Sequence, residues 1–475
     1  MSNYLNTKKA YSLYNEIVSM EYFVDKTEIL EEIIPRLGKA NKYLCITRPR
    51  RLGKTIMANL IGSYFTKGLE SNSIFCHLKI GSKAQYRTHL NQYNVFYIDF
   101  SEIPYLCRSY QDYIHAIAEK MLEDLLEEYP DCGIIMEDGP WAALEKIFSV
   151  TGEQFVFVID EWDSMFHNPG FTRKNQEDFL QFLKQLLKSR AYVKLAYMTG
   201  VLPIAKYSSG SELNMFDEYN MAVSPKYSSY FGFTEEEVTD LYEKYLCNTK
   251  CPAVTMDALK EWYDGYQTAG GERIYNPRSV VRALLDNHIG SYWTGSGPYD
   301  EIFYYIRHNI SEVREDMIRL AAGEAVDAEI SEYAAVSMEL GTKDEIYSAM
   351  VVYGFLSYQE GKVSIPNKEL MLKFQEVLSK KEMGYIAKLA RESGAMLEAT
   401  LTGDTDTMRK ILSFAHDTEI PVLNYNNEAD LAALVNLIYL SSRNSYNVGR
   451  EERAGRGFAD IILYPKDFWR DCIIL

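Results

Sequence analysis

The sequence predicts an α/β domain built on a parallel sheet covered by helices, followed by a mostly helical region and a shorter α/β piece at the far end. Two observations carry this. Between residues 40 and 200, short apolar runs at 43–47, 95–100, 155–159 and 193–198 alternate with helical stretches. Each run is apolar on both faces, as strands buried between two helical layers must be, and the alternation is that of a layered α/β domain. From about 300 to 415 the pattern becomes amphipathic with a helical period, interrupted by a strand-like 362–365. From about 420 an apolar helix at 428–440 leads through a basic Arg/Gly turn region to a strand at 459–464. The expected divisions are 1–290, 291–415 and 416–475.

Composition narrows the functional classes. The 475 residues are 47% apolar and 25% charged, which suits a multi-domain globular chain and excludes a disordered one. Lys and Arg number 50 against 67 Asp and Glu, a net charge of −17. That balance argues against a non-specific nucleic-acid binder, which needs concentrated positive charge, but leaves room for a local basic site. The seven cysteines are scattered, as in a reduced intracellular chain. Cys247 and Cys251 have no second ligand pair at zinc spacing. No apolar run reaches the roughly 18 residues of a membrane span, and the polar start with Lys8 and Lys9 is no signal peptide. A cytoplasmic protein without a membrane partner is expected.

The first chemical motif is Arg48-Pro49-Arg50-Arg51-Leu52-Gly53-Lys54-Thr55, between the strand at 43–47 and a helix beginning near Ile56. Gly53, Lys54 and Thr55 complete a phosphate loop: backbone N–H groups curl around phosphate oxygens, Lys reaches the terminal phosphates and the hydroxyl ligates Mg²⁺. Arg48 stands where the usual pattern has Gly, and Pro49 lacks an N–H. Arg48, Arg50 and Arg51 are expected to supply the charge that those backbone donors do not. The strand at 155–159 runs into Asp160-Glu161. Asp160 is the candidate metal holder and Glu161 the candidate group that polarises the attacking water. The strand at 95–100 lies between the two motifs in the chain, the order expected of NTPases with a catalytic Glu. Asp163 is a supporting candidate, and Thr199, before Gly200, could sense a terminal phosphate.

These residues resemble the AAA-ATPase-like family, whose members join a divergent P-loop domain to a C-terminal nuclease domain of the PD-(D/E)XK class. The matching pieces are Val24-Asp25-Lys26-Thr27, the R-P-R-R-L-G-K-T loop, Asp160-Glu161-Trp162-Asp163, Thr199-Gly200, Phe231-Gly232-Phe233-Thr234, Trp262-Tyr263-Asp264-Gly265-Tyr266 and Asn276-Pro277. The resemblance implies a P-loop NTPase fold using ATP and Mg²⁺, with Lys54 and Glu161 catalytic and Thr55 and Asp160 on the metal. Thr234 with Glu237 has capping-box spacing, as does Asp25 with Glu28, and Asn276-Pro277 reads as a helix start. Arg278 is a candidate sensor arginine, and Arg173 and Arg190 are candidate arginine fingers.

In the C-terminal piece the resemblance implies an incomplete nuclease-like domain. Asp460 matches the Asp of that class, and Glu428 the assisting helical Glu. Arg443, Arg450, Arg453 and Arg456 form a basic loop suited to nucleic acid. The sequence ends at Leu475, before the Glu-x-Lys that would complete such a site, so no nuclease activity is expected of this chain. The leading expectation is an ATP-hydrolysing switch, with a partner protein or homo-oligomer as its context. The alternatives are a nucleotide-binding signalling scaffold with negligible hydrolysis and a non-catalytic DNA-binding regulator.

Overall fold

The apolar runs become β1 (Tyr43–Thr47), β2 (Asn94–Asp99), β3 (Phe155–Asp160) and β4 (Val193–Gly200). They join β5 (Asp217–Asn220) in one all-parallel sheet of order β2-β3-β4-β1-β5. β1 and β3 are buried along their whole length, which is why they read as unbroken apolar runs. β5 escapes a sequence reading because Asp217-Glu218-Tyr219-Asn220 is polar and lies at the sheet edge. β2 precedes β3 in the chain but sits at the opposite edge. The strand inserted between β1 and β3 is β4. This sets the carboxyl ends of β1 and β3 two strand spacings apart, about 9.5 Å, room for a ligand between them.

The computed structural model describes residues 2–105, 107–167, 170–204, 212–222, 224–293, 311–321, 323–330, 342–379, 385–417, 428–454, 457–467 and 469–475. They divide into two compact units. The first holds the described residues of 2–293 together with Ser348–Gly354; the second holds those of 311–330, 342–347 and 355–475.

In the first unit the helix Lys54–Phe65 packs on the sheet with Ala10, Tyr14, Leu44, Ile46 and Tyr197 in one apolar core. A smaller helical core follows, built from Glu235–Asn248, Met256–Tyr263 and Pro277–Asp286 around Val238, Tyr245, Leu259 and Val280. Its caps are those the sequence predicts. Thr234 and Glu237 form a reciprocal capping box, and Asn276 accepts the Ser279 N–H ahead of Pro277. The antiparallel pair β6 (Tyr266–Gln267) and β7 (Arg273–Ile274) links the last two helices.

Among its described residues the second unit is helical, with two antiparallel three-stranded sheets. One is β8 (Val326–Asp327), β9 (Ser357–Gln359) and β10 (Lys362–Ser364), in order β8-β10-β9. The other is β11 (Tyr446–Ala454), β12 (Gly457–Pro465) and β13 (Ile473–Ile474), in chain order. Two expectations are corrected here. The basic region read as a turn is largely β11, because pairing with the apolar Ile461, Ile462 and Leu463 makes a strand of a polar stretch. The helix expected over 428–440 ends at Ile438 and passes into a 3₁₀ turn, Leu440–Asn444. Among the described residues no helix is long and apolar enough to cross a membrane.

Candidate nucleotide site

β1 delivers the phosphate loop to the carboxyl edge of the sheet, where ligands bind in open parallel sheets. Arg48 continues the ladder, donating its N–H to the Gly200 carbonyl at 3.1 Å. Two left-handed residues then turn the chain, Arg51 at φ +72° and Gly53 at φ +94°. Only glycine adopts such angles without steric cost, so Gly53 serves the turn itself: a Cβ there would meet nothing within 4 Å. The helix Lys54–Phe65 starts with no side-chain cap, leaving its first N–H groups directed at the loop. Thr55, in that first turn, is exposed.

Lys54 is buried, and its ammonium donates to the Pro49 carbonyl at 3.1 Å. Burial lowers its pKa, opposed by the carboxylates of Glu161, Asp163 and Asp160. Asp160 is fully buried at the end of β3. Its Oδ1 accepts the Glu161 N–H, while Oδ2 has no hydrogen-bond partner. Burial, then repulsion from Glu161, pushes its carboxyl up to about 7, with the Thr55 hydroxyl and Lys54 pulling the other way. Glu161 has a left-handed backbone at φ +50°, and burial raises its pKa against the pull of Lys54. Such a backbone at a non-glycine residue is uncommon and concentrates at functional sites.

Asp163 braces this edge. Burial disfavours its charge, but a hydrogen bond and Coulombic attraction from His167, with the Leu202 N–H, bring its pKa below the ordinary value. Its Oδ2 accepts the N–H groups of Val201 and Leu202 at 3.1 and 2.9 Å and lies 3.0 Å from His167 Nε2. The exit of β3 is thereby tied to the exit of β4. Gly200 permits this closeness: a Cβ on it would stand 2.3 Å from Asp163 Oδ1 and 2.5 Å from Trp162 Cδ1.

Two expected ligand residues are engaged elsewhere. The Arg48 guanidinium is 1% exposed, donates to the carbonyls of Thr47 and Tyr219 at 2.8 Å each, and lies 4.9 Å from the centre of the Phe231 ring. It joins β1 to β5 and to the Phe231-Gly232 segment, whose Gly232 N–H reaches the Leu52 carbonyl. The Thr199 hydroxyl is buried and donates to the Ile46 carbonyl at 2.8 Å. Arg50 and Arg51 remain at the loop. Of the finger candidates, Arg173 is exposed beside Glu177, and Arg190 donates to Gln185 and Glu145. Arg278 is exposed.

The Val24–Thr27 segment is a fastener rather than a helix cap. Asp25 accepts from Thr27 and from the Lys79 N–H, and Lys26 pairs with Glu237 and the Ser229 carbonyl. Tyr263 and Tyr266 are buried, with hydroxyls donated to the carbonyls of Gly290 and Gly354.

Three residues at the site escaped the sequence reading. Asp99 ends β2 in register with Asp160 and adds negative charge beside Asp160 and Glu161. Its signal was available, since both strands end in Asp. His167 is one helical turn from Asp163, and Tyr353, whose hydroxyl is 3.4 Å from His167 Nδ1, carries no sequence signal at all.

In the second unit, Glu428 is the first residue of the helix Glu428–Ile438, and Asp460 is exposed on β12. Arg443 sits in the 3₁₀ turn, Arg450 and Arg453 fall on β11, and Arg456 lies outside the described residues.

The site fits Mg²⁺ carried with a nucleotide. An orphaned buried carboxylate oxygen of Asp160 and the hydroxyl of the exposed residue Thr55 are hard oxygen donors of the kind Mg²⁺ takes alongside phosphates. Among the described residues no three of His, Cys, Asp and Glu converge as a self-contained metal cage.

No curated protein matches the chain. Solved structures overlay it loosely. A Walker-type ATPase of Pyrococcus abyssi has TM-score 0.40 and 11% identity, over 74% of this chain and 94% of that one. The ORC2 protein of Aeropyrum pernix, in ADPNP–ADP complexes, has TM-score 0.37 and 11% identity, over 82% and 96%. The ORC1 protein of the same organism, in complex with DNA, has TM-score 0.32 and 14% identity, over 82% and 100%. The segment that bears the phosphate loop and the acidic strand end, within residues 11–209, is similar to the AAA-ATPase-like family, described as a predicted AAA-ATPase.

Proposed function

We propose that the first unit binds ATP with Mg²⁺ and hydrolyses it as a switch. The observation that supports this most is the convergence of Lys54 with Asp160 and Glu161 at the carboxyl edge of a parallel sheet. On binding, Lys54 exchanges the Pro49 carbonyl for phosphate oxygens. The uncapped first turn of the helix Lys54–Phe65 donates its N–H groups to the same phosphates. Arg50, Arg51 and the turn at Gly53 complete the cradle. Arg48 and Thr199 act by holding β5 and β4 against β1, so their contribution to ligand binding is indirect. Thr55 and Asp160 hold Mg²⁺, which when bound offsets the phosphate charge. Glu161 takes the water proton, and the nearby Lys54 ammonium favours the ionised carboxylate that this requires.

The test uses the full chain, with calorimetry for ATP binding and a phosphate-release assay for turnover. Lys54→Ala should weaken ATP binding at least about tenfold, as loss of a charge-assisted contact does. Glu161→Gln should keep the affinity and lower turnover by about 10²-fold or more, as loss of a general base does. Wild-type behaviour in both variants refutes the site.

The engagement of Arg190 by Gln185 and Glu145 favours a second reading, in which a partner supplies the cation expected of an arginine finger. Tight ATP binding without turnover by the isolated chain selects it. For the C-terminal sheet, the nuclease-like reading and a nucleic-acid partner rest on Asp460, exposed on β12, and on the arginines of β11.

A further inference from the structure

Side chains far along the sequence close over the entry of the phosphate loop. The Tyr353 ring lies over the Arg50 guanidinium, 5.6 Å from its centre. The next residue, Gly354, presses so near the loop that a Cβ on it would stand 2.7 Å from Pro49 Cβ. The Tyr266 hydroxyl holds that approach by donating to the Gly354 carbonyl at 3.1 Å, and Trp293 Nε1 donates to the Arg50 carbonyl at 3.2 Å.

The other end of Tyr353 faces the acidic edge. Its ring meets His167 edge to face at 5.7 Å, and its hydroxyl is 3.4 Å from Nδ1. The ionised Asp163 carboxylate only accepts, so His167 Nε2 carries the proton. One buried side chain therefore spans from a cation of the loop to the carboxylate network at the exits of β3 and β4.

This loop has particular need of such a support. Pro49 lacks an N–H, and the Arg48 guanidinium is buried against β5. More of the phosphate contact falls to Arg50, whose long side chain has much rotamer entropy to lose on binding. A ring that fixes the guanidinium beforehand removes part of that cost from binding.

We propose that Tyr353 is a positioning residue of the nucleotide site: its ring sets Arg50 for the phosphates of a nucleoside triphosphate. The inference rests on the ATP-binding reading above.

The test is calorimetry of MgATP binding to the full chain, comparing wild type, Tyr353→Phe, Tyr353→Leu, Arg50→Ala and the Tyr353→Leu/Arg50→Ala double variant. Thermal unfolding of each checks folding, and Tyr353→Met is a second ring-free variant should Leu not fold. Loss of the ring should weaken ATP about fivefold to tenfold, in line with a partly desolvated cation–π contact. Tyr353→Phe should stay within about twofold of wild type, because the ring remains. The double variant should bind no more weakly than Arg50→Ala, since the ring acts through the guanidinium. A packing role alone predicts additive losses. Additive losses, or wild-type affinity in the ring-free variants, overturn the inference while leaving ATP binding intact. A wild-type chain that binds no ATP overturns the nucleotide reading and this inference with it.

Discussion

Burial lifts the Asp160 carboxyl to about 7, and the sign of that shift makes a prediction at the scale of one residue. The unfolded chain releases this proton near the ordinary value of about 3.9. Between there and about 7 the folded state holds a proton that the unfolded state has lost. The stability linked to it is complete below about pH 4 and lost as pH rises through about 7. In the absence of nucleotide and Mg²⁺, Asp160→Asn should therefore gain stability over wild type as pH goes from 5 to 8, read by urea unfolding at each pH. A difference that does not change with pH contradicts the burial of an uncompensated charge. The advantage should reverse in MgATP, which stabilises the wild type alone. The Asp160-Glu161 pair was legible because an apolar strand ended in two carboxylates. The fates of Arg48 and Thr199 were not, because each is decided by a carbonyl on another strand: Tyr219 for the first, Ile46 for the second.

The sheet edge acts as one element, with β1, β3 and β4 locked where they emerge. Asp163 fastens β3 to the residues after β4, and Gly200 leaves the space for it. Gly200→Ala should destabilise the first unit by about 1–3 kcal/mol, the usual cost of overpacking a filled core. It should also weaken ATP binding, since Trp162 and Asp163 cannot both keep their places. Chemical denaturation with a parallel ATP titration measures both, and a variant as stable as wild type removes Gly200 from this role. Legibility at this scale follows burial. β1 and β3 are apolar on both faces and announce themselves. β5 is polar and half exposed, and exists because Leu44–Thr47 offer it a ladder. β11 holds Arg450, Glu451, Glu452 and Arg453 and is drawn into a strand by apolar β12.

For the whole molecule, the net charge of −17 describes the body, while the phosphate loop is a local concentration of Arg50, Arg51 and Lys54. A ligand held there stabilises the unit that binds it by mass action, about 2.7 kcal/mol at a hundred times Kd. MgATP should raise the thermal transition of the unit containing residues 1–293 by several degrees, and Lys54→Ala should abolish the shift. Scanning calorimetry with and without MgATP reads this, and an equal shift in the Lys54 variant places the ligand elsewhere.

The sequence by itself determined the parallel α/β architecture, the loop at 48–55, the carboxylates at 160–161 and the helix caps at Thr234 and Asn276. Each is written in local periodicity or in a short-range spacing. Tertiary structure alone decided that β4 separates β1 from β3, that Arg48 serves the sheet, and that Tyr353 lies on Arg50. Those outcomes depend on contacts between residues as much as 303 positions apart, Arg50 to Tyr353, and no local pattern encodes which distant carbonyl or ring a buried cation will find.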